Sequence, residues 1–278
     1  MKKKVIFILV IILSACEGDI YTPDPFDISV EGFIEQGKSP FVTLMRSLPV
    51  NTEYESLDSL SKYAIKDAVV KVTVDAKVYD LEIEQSGLVD TPYLYTSHEL
   101  IGEEGKKYLL DIYYMDRHLS AVTTIPKPIN ILSIEPTQMD NSPESYMVTA
   151  SFIDDKSTKD YYKTFVSMSN VNNTYLSSFM GNFDDSDFTT DTINISILKG
   201  RTFHDDNFMP MFNKGDSVFV KFCHIEEKAY HYWNEYEKTL FLSRNPIFSV
   251  RKNLPSNIEG GLGYWFGYGS TIYNFIIR

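Results

Sequence analysis

Most of this chain alternates apolar and polar residues with a period of two, which is the pattern of β-strands that are buried on one face. The segment FDISVEGFIE at 26–35 alternates in this way, and so does IKDAVVKVTVD at 65–75. The next segment, KVYDLEIE at 77–84, alternates as well, so the two predict a hairpin that turns at Asp75 and Ala76. Turn signals recur about every 8–12 residues, which is the spacing of an immunoglobulin-like β-sandwich.

The first domain is predicted to comprise residues 26–126, because the prolines of IPKPI at 125–129 make a short, stiff spacer. A second β-rich domain is predicted over 128–278. Within it, residues 225–243 change to helical periodicity, with an aromatic stripe expected to pack on a sheet. The stripe consists of Ile225, Ala229, Tyr232, Trp233, Tyr236 and Leu240. The predicted fold class is therefore all-β with one long amphipathic helix, arranged as two tandem antiparallel β-sandwich-like domains.

The N-terminus has the parts of an export signal: lysines at 2–4, an apolar stretch over 5–13, and Leu-Ser-Ala-Cys ending at Cys16. Spanning a bilayer takes about 20 apolar residues, so this stretch is too short for a membrane helix. Leu-Ser-Ala-Cys resembles the bacterial lipobox, in which the cysteine is acylated and becomes the first mature residue. The alternative is a chance cysteine after an ordinary signal. We expect a signal peptide over 1–15 and lipid attachment at Cys16.

The residues that follow the lipobox predict a tether and a cellular location. Residues 16–25 are rich in Gly, Pro and Asp, which form neither helix nor strand readily, and should link the lipid anchor to the first domain. Their acidic character resembles the signal that sends lipoproteins to the cell surface in the Bacteroidota. The expected location is the outer membrane, facing the cell surface, with the periplasmic face as the alternative.

The net charge and the number of cysteines exclude some functions and some covalent links. The net charge is −12, and removing the three lysines of the signal makes the mature chain still more acidic. Such a chain is not expected to bind nucleic acid phosphates. If Cys16 is acylated, Cys223 is the only remaining thiol and no disulfide forms within the chain. Cys223 lies in the alternating segment SVFVKFCHI and is interpreted as a buried strand residue.

Near the C-terminus, the glycine-rich run SNIEGGLG at 256–263 precedes the aromatic run YWFGYG at 264–269. The run lacks the G-x-G-x-x-G spacing of a dinucleotide-binding loop, so phosphate binding is not expected. It predicts a tight turn that feeds a last strand. The second interpretation is an interaction surface made by Asn257, Glu259, Gly260, Gly261, Tyr264, Trp265 and Tyr268.

The SNIEGGLG run after an aromatic helix, together with the lipobox and ISVEGFIEQGKSPFVTL at 28–44, resembles the Bacteroidota lipoprotein family known as domain of unknown function 4249. SFIDDKSTKDYY at 151–162 matches the opening of that family's second half. The resemblance implies an all-β outer-membrane lipoprotein, often encoded beside a TonB-dependent receptor. It implies no catalytic mechanism and no cofactor.

Candidate chemistry is sparse. His224 and His231 are seven residues apart and could share a helix face, but no third zinc ligand lies near them in sequence. The acidic runs FDDSDF at 183–188 and FHDDNF at 203–208 lack the ligand spacing of a calcium loop. Ser59 and Lys62 fit S-x-x-K, a pattern short enough to occur by chance.

Two functions follow from these observations. The first is a non-catalytic binding or accessory module of a TonB-dependent receptor system, held to the membrane by its lipid. The alternative is a surface hydrolase that acts on glycan or peptide through its acidic loops, with calcium as a possible aid. Convergence of Asp184, Asp205 and His204 in one cleft would favour the hydrolase.

Overall fold

The computed structural model describes residues 27–46, 61–86, 93–140, 142–168, 171–201, 207–242 and 254–278, with the backbone alone at 171–174. The signal peptide, the tether and Cys16 therefore lie outside the described residues. In chain order the strands are β1 Ile28–Glu35, β2 Phe41–Arg46, β3 Val69–Val74, β4 Lys77–Gln85, β5 Tyr93–Thr96, β6 Lys107–Tyr114, β7 Arg117–Thr124, β8 Ile131–Met139, β9 Ser142–Ile153, β10 Tyr161–Met168, β11 Val171–Asp184, β12 Thr192–Ile197, β13 Phe212–Asn213, β14 Ser217–Ile225 and β15 Leu262–Ile276. One helix, α1 Glu227–Leu242, lies among them.

The predicted fold class is confirmed, since the described chain is all-β with a single α-helix. Eleven strands form one sheet in the order β11-β10-β14-β15-β1-β2-β5-β4-β3-β6-β7. The predicted hairpin is present: β3 and β4 pair, and both Asp75 and Ala76 at the turn have positive φ. A second, four-stranded sheet consists of β8, β9, β12 and β13. No helix in the described ranges is long and apolar enough to cross a membrane.

The last strand joins the two halves of the chain. β15 pairs with β1 in parallel through residues 262–268, and with β14 in antiparallel fashion through 269–276. Trp265 and Ile258 are buried in the same hydrophobic cluster as the apolar residues of β1 to β7. Residues 125–130 have no regular structure. The first core also includes Ile258 and Trp265, which lie beyond the domain boundary predicted there.

The second half has three layers, because β10 and β14 are covered on both faces. Tyr162, Val166 and Phe222 pack against the four-stranded sheet. Phe165 and Cys223 face the other way, toward α1. Cys223 is buried in β14, so the prediction of a buried strand residue is confirmed. This burial raises the pKa of its thiol to about 12.

Helix α1 begins two residues later than predicted, because Ile225 ends β14 and is not part of the helix. The rest of the aromatic stripe packs on the large sheet, as the periodicity predicts. Trp233 meets Phe165 edge to face at 5.2 Å between ring centroids, and its Nε1 donates to the Tyr268 hydroxyl at 3.3 Å. Tyr232 contacts Tyr264 at 4.7 Å between centroids. These contacts bury the face of β15 that carries Tyr264 and Tyr268.

Candidate functional site

The SNIEGGLG run is a clamp on β15. Asn257 Nδ2 donates to the Trp265 carbonyl at 2.7 Å, and the Trp265 amide donates to Asn257 Oδ1 at 2.9 Å. At this point β15 is paired with β1 on one edge only, since β14 reaches no further than Gly269. The side chain of Asn257 therefore takes the place of a neighbouring strand, which satisfies two backbone groups of a buried residue.

The glycines allow the close approach that this clamp requires. Gly260 and Gly263 have φ of +79° and +105°, in the region that side chains disfavour. A Cβ on Gly263 would lie 1.8 Å from the carbonyl oxygen of Val30, and one on Gly260 would lie 2.6 Å from that of His118. The predicted tight turn before the last strand is confirmed.

The aromatic part of the predicted interaction surface is wrong. Trp265 has no exposed surface, and Tyr264 and Tyr268 are also buried. β15 lies inside a sheet that is covered on both faces here, with Trp265 in the first core and the two tyrosines under α1. The sequence already indicated this burial. The run YWFGYG at 264–269 has no charged residue, and an uninterrupted apolar run is typical of a strand that is buried on both faces.

The turn itself does reach solvent. Glu259 pairs through its backbone with Ser120 of β7, at 2.8 and 3.1 Å, and its side chain is exposed, as is Gly260. Gly261 and Asn257 are only partly exposed. Of the predicted surface residues, Glu259 and Gly260 therefore remain available to a partner.

Exposed apolar side chains lie beside this turn. The ring of Tyr113 is 45% exposed and stacks on His118, whose carbonyl oxygen faces Gly260. Met115, in the hairpin turn between β6 and β7, is 75% exposed, and Val69 pairs with Tyr113 across the sheet. We call the five residues Val69, Tyr113, Met115, Glu259 and Gly260 the turn surface.

The turn surface lies at the end of the molecule where the chain enters from the predicted anchor. The Arg117 guanidinium donates to the Gly260 carbonyl at 2.8 Å. The same nitrogen lies 3.8 Å from a carboxylate oxygen of Asp27, the first described residue. Arg117 thus links the start of β1 to the glycine turn.

A groove of about 310 Å³ lies elsewhere, between β11 and the C-terminal end of α1. Lys163 and Phe165 of β10 pair with Asn182 and Ser177 of β11, so the residues from Ser178 to Gly181 stand opposite Thr164 alone. This bulge turns β11 away from its neighbour. The residues that line the groove are Ser177, Ser178, Phe179, Met180, Arg201, Glu237, Lys238, Leu240 and Phe241.

The inner end of the groove holds a buried ion pair. Glu237 Oε1 accepts a short hydrogen bond from Lys163 Nζ, and Ser177 Oγ lies 3.5 Å from the same oxygen. Lys163 is fully buried, and desolvation lowers the pKa of its ammonium although Glu237 opposes that change. Its nitrogen also lies 5.2 Å from the Trp233 ring centroid, within cation–π range.

The other predicted chemical residues do not form a cluster in the part of the chain described. Asp184 caps a short 3₁₀ turn by accepting from the Ser186 amide at 2.8 Å, which is a structural role. His224 lies in β14 and His231 in α1, so the prediction that they share a helix face is wrong. His204 and Asp205 lie outside the described residues, so the convergence expected of a hydrolase has no structural test. No group of three metal-binding side chains occurs among the described residues.

Comparison with known protein families identifies the family of the chain. A search of curated proteins found no match. The family described as Domain of unknown function (DUF4249) matches residues 19–273, which include the turn surface, the groove and both sheets except for the last three residues of β15. That match covers most of the chain, and the protein therefore belongs to this family.

Proposed function

We propose that this protein is a non-catalytic lipoprotein of the outer membrane that docks through its turn surface on an integral membrane partner, a TonB-dependent receptor. The observation that carries the proposal is the position of Arg117, which ties the turn surface to the point where the chain arrives from Cys16. The lipobox resemblance supplies the anchor, and the family resemblance supplies the class of partner.

Tether length supports this orientation. The stretch from Cys16 to Asp27 can span at most about 40 Å when fully extended. An acylated Cys16 therefore keeps the start of β1 within that distance of the membrane. The turn surface shares this end of the molecule, so a partner embedded in the same membrane is within its reach.

The character of the turn surface also fits a docking role. Tyr113 and Met115 are large apolar side chains left in solvent, and such groups next to polar neighbours are typical of protein contact sites. Glu259 and Gly260 add a polar edge whose backbone is held by β7 and Arg117. A preformed surface of this kind loses little conformational entropy on binding.

Two methionines provide a matched test. Met115 and Met180 have nearly equal φ, +53° and +54°, and are 75% and 70% exposed. Asparagine tolerates this left-handed conformation better than methionine does, so neither Met115→Asn nor Met180→Asn should destabilise the fold. Met115 belongs to the turn surface, whereas Met180 lines the groove.

The measurement is co-purification from solubilised outer membranes, with mass spectrometry of the recovered proteins. We expect the wild type and Met180→Asn to retain a TonB-dependent receptor, and Met115→Asn to lose most of it. Equal recovery with all three proteins would contradict the assignment of the turn surface. Recovery of no membrane protein by the wild type would contradict docking itself.

A further inference from the structure

The groove is apolar along its walls. Phe179 and Met180 come from the bulge in β11, and Leu240 and Phe241 come from the last turn of α1. Met180 is 70% exposed and Phe241 is 64% exposed, although both are large apolar residues. A volume of about 310 Å³ matches the smaller pockets that proteins use for organic ligands. The walls therefore favour an apolar chain of modest length.

The charges of the groove are mainly positive, although the chain as a whole is acidic. Arg201 and Lys238 line it, and Lys238 also pairs with Glu235 at 3.6 Å. The single lining carboxylate, Glu237, is compensated by the buried Lys163. The Arg201 guanidinium carbon also lies 5.4 Å from the Phe208 ring centroid, within cation–π range. A guanidinium in the wall of an apolar cleft suits a carboxylate, which its terminal nitrogens can bind in bidentate fashion.

We propose that this groove binds an apolar chain that ends in a carboxylate, of the size of a medium-chain fatty acid. The carboxylate pairs with Arg201, and the hydrocarbon lies against Met180 and Phe241. The site is separate from the turn surface, so this proposal does not rest on docking to a receptor. It adds a small-molecule ligand to the proposed function.

The test is calorimetric titration of the full chain carrying Cys16→Ser, which has no attached acyl chain to compete. The probes are decanoate below its micelle concentration, decanol, which has the same hydrocarbon without the charge, and acetate, which has the charge without the hydrocarbon. We expect one decanoate per chain, decanol weaker by about tenfold or more, and no binding of acetate.

Two variants assign the contacts. Arg201→Gln should weaken decanoate by about tenfold or more and leave decanol unchanged. Arg278→Gln, at the exposed C-terminal residue, removes the same charge far along the chain and should change neither. Met180→Asn should weaken both decanoate and decanol, because it removes part of the apolar wall.

Several results would overturn the proposal: no binding of decanoate, equal affinity for decanoate and decanol, or unchanged binding by Arg201→Gln or Met180→Asn. Met115→Asn separates this site from the turn surface. If Met115→Asn loses the membrane partner while the wild type fails to bind decanoate, the docking proposal stands and the ligand proposal falls. If decanoate binds as expected and no partner is recovered, the ligand proposal stands and the docking proposal falls.

Discussion

The side chain of Asn257 holds the backbone of Trp265 at both its amide and its carbonyl, at 2.9 and 2.7 Å. Two residues further along β15, Thr123 Oγ1 accepts from the Gly267 amide at 2.7 Å. These two side chains complete the edge of β15 that β14 does not reach. The SNIEGGLG run is therefore explained by strand pairing, and Asn257 has a structural role in it.

Replacing Asn257 with alanine should lower the free energy of unfolding by about 2 kcal/mol or more, because two buried backbone groups of Trp265 lose their partners. Asn274→Ala, at an exposed position of the same strand, should change stability by less than about 0.5 kcal/mol. Chemical denaturation followed by Trp fluorescence measures both. If the two substitutions change the free energy of unfolding equally, the hydrogen bonds of Asn257 do not stabilise the fold.

Gly263 and Gly215 separate backbone strain from steric conflict. Both have positive φ, +105° and +88°, but a Cβ on Gly215 would meet nothing within 4 Å, whereas one on Gly263 would overlap the Val30 carbonyl. Gly215→Ala should therefore cost about 1 kcal/mol, the ordinary penalty for a side chain in this conformation. Gly263→Ala should cost considerably more, because β1 and β15 must separate locally. Similar melting temperatures for the two variants would contradict the close approach of these strands.

Glu35 on β1 should make the stability of the fold depend on pH. Burial opposes the ionisation of Glu35, but Lys221, at hydrogen-bond distance, and Lys38 outweigh it and bring the pKa of the carboxyl below its ordinary value of 4.5. Glu35 thus stabilises the fold above its ordinary pKa, and this contribution is lost as pH falls through the lowered value.

Accordingly, Glu35→Gln should lower the melting temperature at neutral pH, and its difference from the wild type should shrink in acid below the ordinary value of 4.5. The measurement is the melting temperature of each protein across this pH range. A Glu35→Gln difference that is constant with pH would contradict the ion-pair account.

The predicted anchor has its own test. Cys16→Ala should abolish incorporation of radiolabelled palmitate and leave the protein unprocessed or in the soluble fraction. The wild type should be labelled and remain with the membranes. Equal labelling of both proteins would show that the lipobox resemblance is misleading.

Local patterns predicted local structure well. The three- and four-residue spacing of Ala229, Tyr232 and Trp233 predicted α1, and the alternation around Asp75 predicted the β3–β4 hairpin. Both depend on neighbours in sequence, for which side-chain periodicity is a direct physical signal. The buried position of Cys223 follows from the same alternation.

Features that join distant parts of the chain were not predictable in this way. The parallel pairing of β1 with β15 joins the first and the last described strands, and α1 then covers Tyr264 and Tyr268. The groove depends on a bulge opposite Thr164 and on where α1 ends, neither of which leaves a periodic trace. The ion pair of Lys163 with Glu237 likewise crosses from β10 to α1 and has no local signature.

The central claim is that the turn surface faces a membrane partner, and site-specific photo-crosslinking in intact outer membranes tests it most directly. A photoreactive amino acid replaces Met115 in one protein and Met180 in the other, two exposed positions with nearly equal φ. We expect a crosslinked adduct with an integral outer-membrane protein from position 115 and none from position 180. Adducts of equal yield from both positions, or an adduct from position 180 alone, would contradict the account.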